Sequence, residues 1–402
     1  MTLTRRELLR LGAGAAAGGL LAAAGCAGPL RTTPNAEFLA LPQSAAGGRA
    51  ALGVFASRDL RAACERIVPA VSDLSWLRRG DSVFVKVACN SPNEHPAVTS
   101  PDAVRAMVGF LRDHGAGRVY VGDQAGVEHV RLTPSGRVRS TRALMARNGL
   151  LQAAADAGAI LHCFDDRGWD GYVAPPRDFA GVWQGDLFVA RVLDEVDHVV
   201  NLPRLGTHAI AGYTCGVKNA VGWLRDDSRR VLHQRGARFF ERIAEINHIA
   251  PLRAKLRLTV TLAHRALLNI GPDFGGTYRF DGCLALAARR LVDHDAVASA
   301  LLPWLDGDSA SFFDLYAPYP RHVNFWNRGL VKDTWGKPAL AAYEPILPFP
   351  RGAPLAHDAG LAHLARLEGY RPARIAVALS GERVPPGLVA HLRARPDRLF
   401  AL

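Results

Sequence analysis

The sequence predicts an α/β protein, a mostly parallel sheet flanked by helices and arranged as two α/β lobes, followed by an irregular, aromatic-rich C-terminal segment. Three observations predict it. Short apolar runs alternate with helical patterns from about residue 50, and strands joined through helices in this way pair in parallel. Polar side chains gather just after two of those runs, at the strand ends where open α/β sheets bind ligands. The 402 residues are 49% hydrophobic and 21% charged, enough apolar chain for one large or two medium folded domains.

The first 30 residues read as an address. Thr4-Arg5-Arg6-Glu7-Leu8-Leu9-Arg10 is a twin-arginine pattern, and a Gly/Ala/Leu run follows to about Gly25. That run is too rich in Gly and Ala, and too short before Pro29, for a permanent membrane span. Its GAGAAAGG lacks the preceding strand and following acidic residue of a dinucleotide loop. Ala23-Ala24-Gly25-Cys26 resembles a lipobox, so lipidation at Cys26 and a simple cut after Ala24 both fit. The expected location is the periplasm, soluble or anchored to the membrane through Cys26 only, with the twin-arginine machinery as partner. Residues 31–49, rich in Thr, Pro, Ala and Gly, form a tether, and the body spans 50–305.

Within the body, Ala51 to Phe55 reads as a strand, and Asp59 caps a helix reaching about Val71. Ser82 to Cys89 is a second strand; Ser100 and Pro101 then open a helix to His114, stopped by Gly115, and Arg118 to Gly122 is a third strand. A polar loop to about Arg139, a helix from Ser140 to Ala157 and a strand from Ala159 to Phe164 come next. Asp165 to Gln184 is a lid or a surface excursion. Leu187 to Val192 and Val196 to Val200 are apolar runs leading into VNLPRLGTHAIAGYTCGVKNAVGW, the stretch from Val200 to Trp223 richest in functional side chains. Arg225 to Arg235 is charged, Ala237 to Ile249 helical, Leu256 to Leu262 a strand, and Asp293 caps a helix to Leu302. From Pro303 to Pro354 aromatic and proline residues accumulate, and around the strand Arg374 to Leu379 lie two short helices. Residues 306–402 are expected to pack on the body as an extension.

Lysine usage singles out candidate site residues. Only five of the 49 basic residues are lysine, at 86, 218, 255, 332 and 337. Arginine serves wherever a generic positive charge suffices, so a retained lysine marks a place that wants a compact ammonium or one able to lose its proton. Lys218 and Lys86 stand at the two polar strand exits. With His208 they are the candidate catalytic groups; Asn90, His95, Thr207, Thr214, Asn219 and His233 are candidate ligand-binding groups. Two ammonium groups with amide and hydroxyl donors suit a small anionic ligand, a carboxylate or phosphate, and histidine adds proton transfer near neutral pH.

Other classes are disfavoured. The net charge is +12, yet no basic block with interleaved aromatics is present, so nucleic acid is not an expected partner. Six cysteines at 26, 64, 89, 163, 215 and 283 form no iron–sulfur or zinc spacing, which leaves any cofactor or metal unknown, and those of the body are expected to be buried thiols without disulfides. No GxSxG, HExxH or Walker loop occurs.

The ordered set Pro203, Thr207, His208, Thr214, Gly216, Lys218, Asn219 and Gly222 resembles family 362 of the domains of unknown function. So do Lys86, Asn90, Thr99 and Pro101, and the run Arg265 to Leu268 with Gly271 and Pro272. The resemblance covers roughly residues 50–305. It implies a lysine where Gly206 stands and aspartates at Leu262 and near Ala300, all missing here, and the ferredoxin-like cysteine motifs of many relatives are absent. A remote likeness to lactate racemase, whose family uses Lys and His around a nickel-containing cofactor, implies racemase-like chemistry as one case. Two functions follow: an exported enzyme of redox or racemase-like type acting on a small anion, or a non-catalytic ligand-binding or cofactor-handling lipoprotein.

Overall fold

The computed structural model describes residues 52–306, apart from 184, 209, 210, 234–237, 269, 270 and 274, together with 359–370, 375–381, 387, 390, 391, 400 and 401. Arg5, Arg6 and Cys26, the tether and most of the aromatic-rich segment lie outside the described residues. Among those described, no helix is long and apolar enough to cross a membrane.

Eleven strands make one sheet: β1 (Leu52–Ser57), β2 (Ser82–Val87), β3 (Arg118–Gly122), β4 (Ile160–Leu161), β5 (His198–Leu202), β6 (Gly206–His208), β7 (Gly212–Thr214), β8 (Leu256–Leu268), β9 (Gly276–Ala288), β10 (Ile375–Gly381) and β11 (Phe400–Ala401). Their order is β11-β10-β1-β9-β8-β5-β2-β3-β4, with β6 pairing β7 and β8. The block β4-β3-β2-β5-β8 is parallel throughout, as the alternation of strands and helices predicts. The two lobes expected from the sequence therefore share one sheet, and β10, expected in an extension packed on the body, pairs with β1 inside it.

Period-2 burial separates the layers. Val83, Val85 and Val87 of β2 enter one apolar cluster, with α1 (Leu60–Val71) and α2 (Pro101–Asp113), whereas Phe84 enters the cluster on the opposite face. Each such fully buried side chain is worth about 1.5–3 kcal/mol. Lys86 shares the parity of Phe84, so it leaves the strand toward the second layer. That layer holds α6 (Gly216–Asn219), α7 (Asp226–His233), α8 (Phe239–Asn247), α10 (Leu291–Asp306) and α11 (Ala359–Leu367), the intervening short helices being α3 (Thr141–Arg147), α4 (Leu150–Asp156), α5 (Val192–Glu195) and α9 (Ala250–Lys255).

Local chemistry explains most boundaries and several departures. Asp59 accepts from the amides of Arg61 and Ala62, capping α1 as expected, whereas Ser100 occupies the cap of α2 without a side-chain bond. The helix expected from Ser140 to Ala157 is two helices, broken where Gly149 adopts φ 84°. Asp293 is no cap; it lies in the first turn of α10, and its carboxylate accepts from the Tyr370 hydroxyl at 2.5 Å. The polar loop before Arg139 contains a small hairpin, Arg131–Thr133 with Gly136–Val138. The excursion after Asp165 is tied down rather than loose: the buried carboxylate of Glu245 accepts from the Trp183 amide at 2.8 Å and from His363 Nε2 at 2.8 Å, and also holds the Val182 amide.

The expected strand Leu256 to Leu262 runs on to Leu268 as β8, pairing antiparallel with β9. A register shift between Ala263 and Arg265 divides β8. Its first half pairs with β5, and Leu267 in its second half meets Gly206 of β6. The shift thereby sets the β6–β7 hairpin beside the exits of the parallel strands.

Candidate functional site

The site is built around α6, a single helical turn far too short to be stable on its own. Tertiary contacts hold it. The carboxylate of Asp295, from α10, accepts the amides of Gly216 at 2.9 Å and Val217 at 2.7 Å. Asn201 donates to the Gly216 carbonyl at 2.9 Å, and Asn247 to the Val217 carbonyl at 3.0 Å. Asp295 is itself fixed by His294 Nδ1 at 2.8 Å, while His294 Nε2 meets the Thr261 hydroxyl at 3.2 Å. These groups are fully buried and mutually satisfied. Their combined effect is to lock the backbone that carries Lys218 and Asn219.

Lys86 anchors the floor. It is 1% exposed, and its ammonium lies 2.7 Å from Asp123 Oδ1 at the end of β3. It also donates to the carbonyls of Val87 at 2.9 Å and Asn219 at 3.1 Å. The second oxygen of Asp123 accepts the Cys89 amide at 2.7 Å. Burial pulls the Lys86 pKa down and the nearby Asp123 opposes it. Asn219 completes the joint, donating to the Lys86 carbonyl at 3.1 Å and to Asn201 Oδ1 at 2.7 Å. A Cβ on Gly222 would collide with both Asp123 Oδ1 and Lys86 Nζ, so the chain must be glycine there.

Lys218 differs. It is half-buried, and among the described residues no carboxylate or hydrogen-bond acceptor pairs with its ammonium. Burial lowers its pKa to about 7; the charges of Arg204, Arg229 and Lys86 push the same way and Asp123 opposes them. Arg229 is buried on the carbonyls of Ala125 at 2.6 Å, Gln124 at 3.1 Å and Leu224 at 3.1 Å, with no carboxylate partner among the described residues. Arg204 is buried too, donating to the Pro96 carbonyl at 3.1 Å, and its pKa falls to about 10 through burial. The result is positive charge in excess of its counter-charge, in a region with little water to screen it.

Two histidines complete this group. His208 is buried on β6, its Nδ1 accepts the Ala211 amide at 3.2 Å, and burial followed by Lys218 drives its pKa well below the usual range. His233, at the end of α7, is lowered to about 3 by burial and then Lys218. Both are therefore neutral at pH 7. Thr207 and Thr214 are buried on the same hairpin, and Thr207 Oγ1 has no hydrogen-bond partner among the described residues.

The remaining expected site residues fall elsewhere. His95 is committed at both nitrogens, Nδ1 donating to the Val98 carbonyl at 3.0 Å and Nε2 accepting the Arg265 amide at 3.3 Å, so it is a latch between a loop and β8, with no nitrogen left for a ligand. Asn90 donates to Asp273 at 2.7 Å, in a separate loop cluster whose Asp273 acts electrostatically on Arg204. Lys86 is a buried ion-pair partner rather than a second open ammonium. The sequence reading missed Asp123, Asn201, Arg204, Arg229 and Asp295. Asp123 carried a findable signal, a carboxylate at a strand exit matching that of Lys86. The cysteines at 64, 89, 163, 215 and 283 are buried thiols joined in no disulfide, as expected.

Leu262 and Ala300, where the resemblance implies carboxylates, are both buried and apolar. Alternation along β8 turns Leu262 into the cluster around α1 and α2, and Ala300 packs in the opposite one.

No curated protein matches the sequence. Among solved structures the chain is similar to the lactate racemase apoprotein from Thermoanaerobacterium thermosaccharolyticum, at 10% identity and a TM-score of 0.37 over 90% of this chain and 88% of that one. It is also similar to a structural-genomics target from Thermotoga maritima, at 12% identity and a TM-score of 0.33 over 56% of this chain and 54% of that one. Similarity at these scores says nothing of function. The profile described as Domain of unknown function (DUF362) matches residues 83–300, which take in β2 and its Lys86, the whole β6–α6 segment with Lys218, and the Asp295 that holds α6. Covering more than half of the chain, that match places this protein in the DUF362 family.

Proposed function

We propose that this is an exported protein that holds a small anionic ligand or cofactor, bearing a carboxylate or phosphate, against Lys218. Lys218, with a pKa of about 7, is the group that can accept or pass a proton there, with His208 and His233 as neutral hydrogen-bonding neighbours, in an enzyme of redox or racemase-like type. One observation carries the reading: a half-buried ammonium without a counter-ion among the described residues, set among Arg204, Arg229 and Lys86. Asp123, the carboxylate that acts on it, is already paired with Lys86. A buried charge is normally paired, so an arriving anion would supply what the protein leaves out. An amine with a pKa near 7 can serve as acid, base or nucleophile, whereas imidazoles lowered this far stay neutral and act as hydrogen-bonding groups.

Export rests on the twin-arginine pattern at Arg5 and Arg6, with Cys26 as the candidate lipid anchor. Replacing both arginines with lysine should abolish export of a reporter fused to residues 1–40.

Ligand binding is tested by calorimetric titration of the full chain with inorganic phosphate and a panel of small carboxylates. Lys218→Arg should weaken binding about tenfold or more while leaving the fold intact, because guanidinium keeps the charge but neither the compact shape nor the tunable pKa. Equal binding by that variant would return Lys218 to a structural role. Absorbance and metal analysis of protein purified after native export separate an enzyme with a loaded cofactor from a simple binder.

A further inference from the structure

Near Arg204, on which Asp273 acts electrostatically, three side chains from two loops far apart in sequence converge. Glu128 and His129 follow β3, and Asp273 lies in the connection between β8 and β9. One ligand atom from each, a carboxylate oxygen or an imidazole nitrogen, falls within 4.8 Å of the other two. His129 Nε2 and Asp273 Oδ2 are 3.4 Å apart, beyond the roughly 2.7–2.9 Å of a charge-assisted hydrogen bond. Two donors at about 2.1 Å from a shared ion, in tetrahedral arrangement, are about 3.4 Å from each other.

The surroundings support the same reading. Asp273 is aimed by neighbours rather than loose: its Oδ1 accepts from Asn90 Nδ2 at 2.7 Å, and its carbonyl accepts from Asn93 Nδ2 at 2.9 Å. Ser91 also interacts with this carboxylate, and Oδ2 faces His129, the pattern in which outer hydrogen bonds orient a ligating carboxylate. The Glu128 carbonyl is tied to Arg139 at 3.2 Å. Among the described residues, His129 is the only basic group within ion-pair distance of either carboxylate. Access is open, with side-chain exposures of 25% for His129 and 13% for Asp273, and Glu128 exposed.

We infer that Glu128, His129 and Asp273 form a binding site for a divalent transition cation of the Zn²⁺ or Mn²⁺ class, with Asn90 as its orienting residue. One imidazole with two carboxylates suits these ions better than Mg²⁺, which prefers oxygen alone, or Cu⁺, which prefers sulfur. Three protein ligands leave coordination positions for water or a ligand group.

The test uses the untagged full chain, stripped with a chelator and titrated calorimetrically with Zn²⁺ and with Mn²⁺. One equivalent should bind, and His129→Ala or Glu128→Gln should each weaken it at least about tenfold, with Asn90→Ala costing about 10–100-fold through misorientation. Glu128→Gln is isosteric at an exposed position, so the site can be tested without risk to the fold; circular dichroism checks this for all three variants. Pulsed EPR of the Mn²⁺ form should show a nitrogen coupling that disappears in His129→Ala. Affinity weaker than about 100 µM, binding retained in both ligand variants, or a nitrogen coupling that survives in His129→Ala would each overturn the assignment.

Discussion

Asp123→Ala strikes the most demanding electrostatic feature of the fold. In the native protein the 1%-exposed Lys86 ammonium has one charged partner, 2.7 Å away, and two carbonyl acceptors. Removing the carboxylate leaves the ammonium with only neutral acceptors, the two carbonyls and Asn219 Oδ1 at 3.3 Å, and orphans the Cys89 amide. Breaking a buried pair from one side costs about 3–5 kcal/mol, and an unpaired buried amide adds about 1–3 kcal/mol. The amine has an escape, since it can shed its proton: at pH 7, neutralising a lysine of ordinary pKa costs about 5 kcal/mol, which caps the first contribution. A total of about 4–8 kcal/mol is expected from urea unfolding followed by tryptophan fluorescence. The sign with pH follows. In the variant the folded Lys86 pKa drops further below its unfolded value, so between those two values the unfolded chain binds more protons and stability rises with pH. The deficit should therefore shrink from pH 7 to pH 9.5. Adding Lys86→Met removes the stranded charge, and the double variant should be more stable than Asp123→Ala alone. A loss below about 1 kcal/mol, or a double variant in which the two losses simply add, would refute the account.

Three further outcomes are expected. Lys218 has a folded pKa of about 7, depressed below its unfolded value by burial, so its contribution to stability rises with pH from about 7 toward 10.5; Lys218→Met should flatten that slope, and labelling of Lys218 with an amine-reactive reagent should titrate near pH 7. Asp295→Asn leaves at most one acceptor oxygen for the two amides that open α6 and should cost about 2–4 kcal/mol in unfolding experiments, with faster hydrogen exchange at Gly216 and Val217. Gly222→Ala forces a methyl group onto Asp123 and Lys86 and should destabilise by about 1–3 kcal/mol, measured by urea unfolding.

Patterns of short range were legible in the sequence. The apolar runs of β2, β3 and β5 and the start of β8 stand out because a strand buried on both faces must be continuously apolar, and Asp59 announces α1 because a cap is a contact within three residues. Lys218 could be singled out from composition, since the chain spends arginine everywhere a lysine is not needed. The family resemblance was also readable in the ordered Thr207, His208, Thr214, Lys218 and Asn219.

What these residues do was decided by contacts between parts of the chain far apart in sequence. Lys86 and Lys218 looked equivalent as lysines at strand exits. Strand pairing puts Asp123 beside Lys86, whereas among the described residues no carboxylate pairs with Lys218, and one becomes an internal ion pair while the other keeps an ammonium without such a counter-ion. His95 and His208 were likewise indistinguishable, until β8 brought the Arg265 amide to the second nitrogen of His95. Asp295 gave no local sign of its role, because the amides it holds lie 79 and 78 residues away. Residue type and periodicity specify which face a side chain takes; the charge state and reactivity of a buried group depend on its partners and desolvation, and these exist only once the sheet has formed.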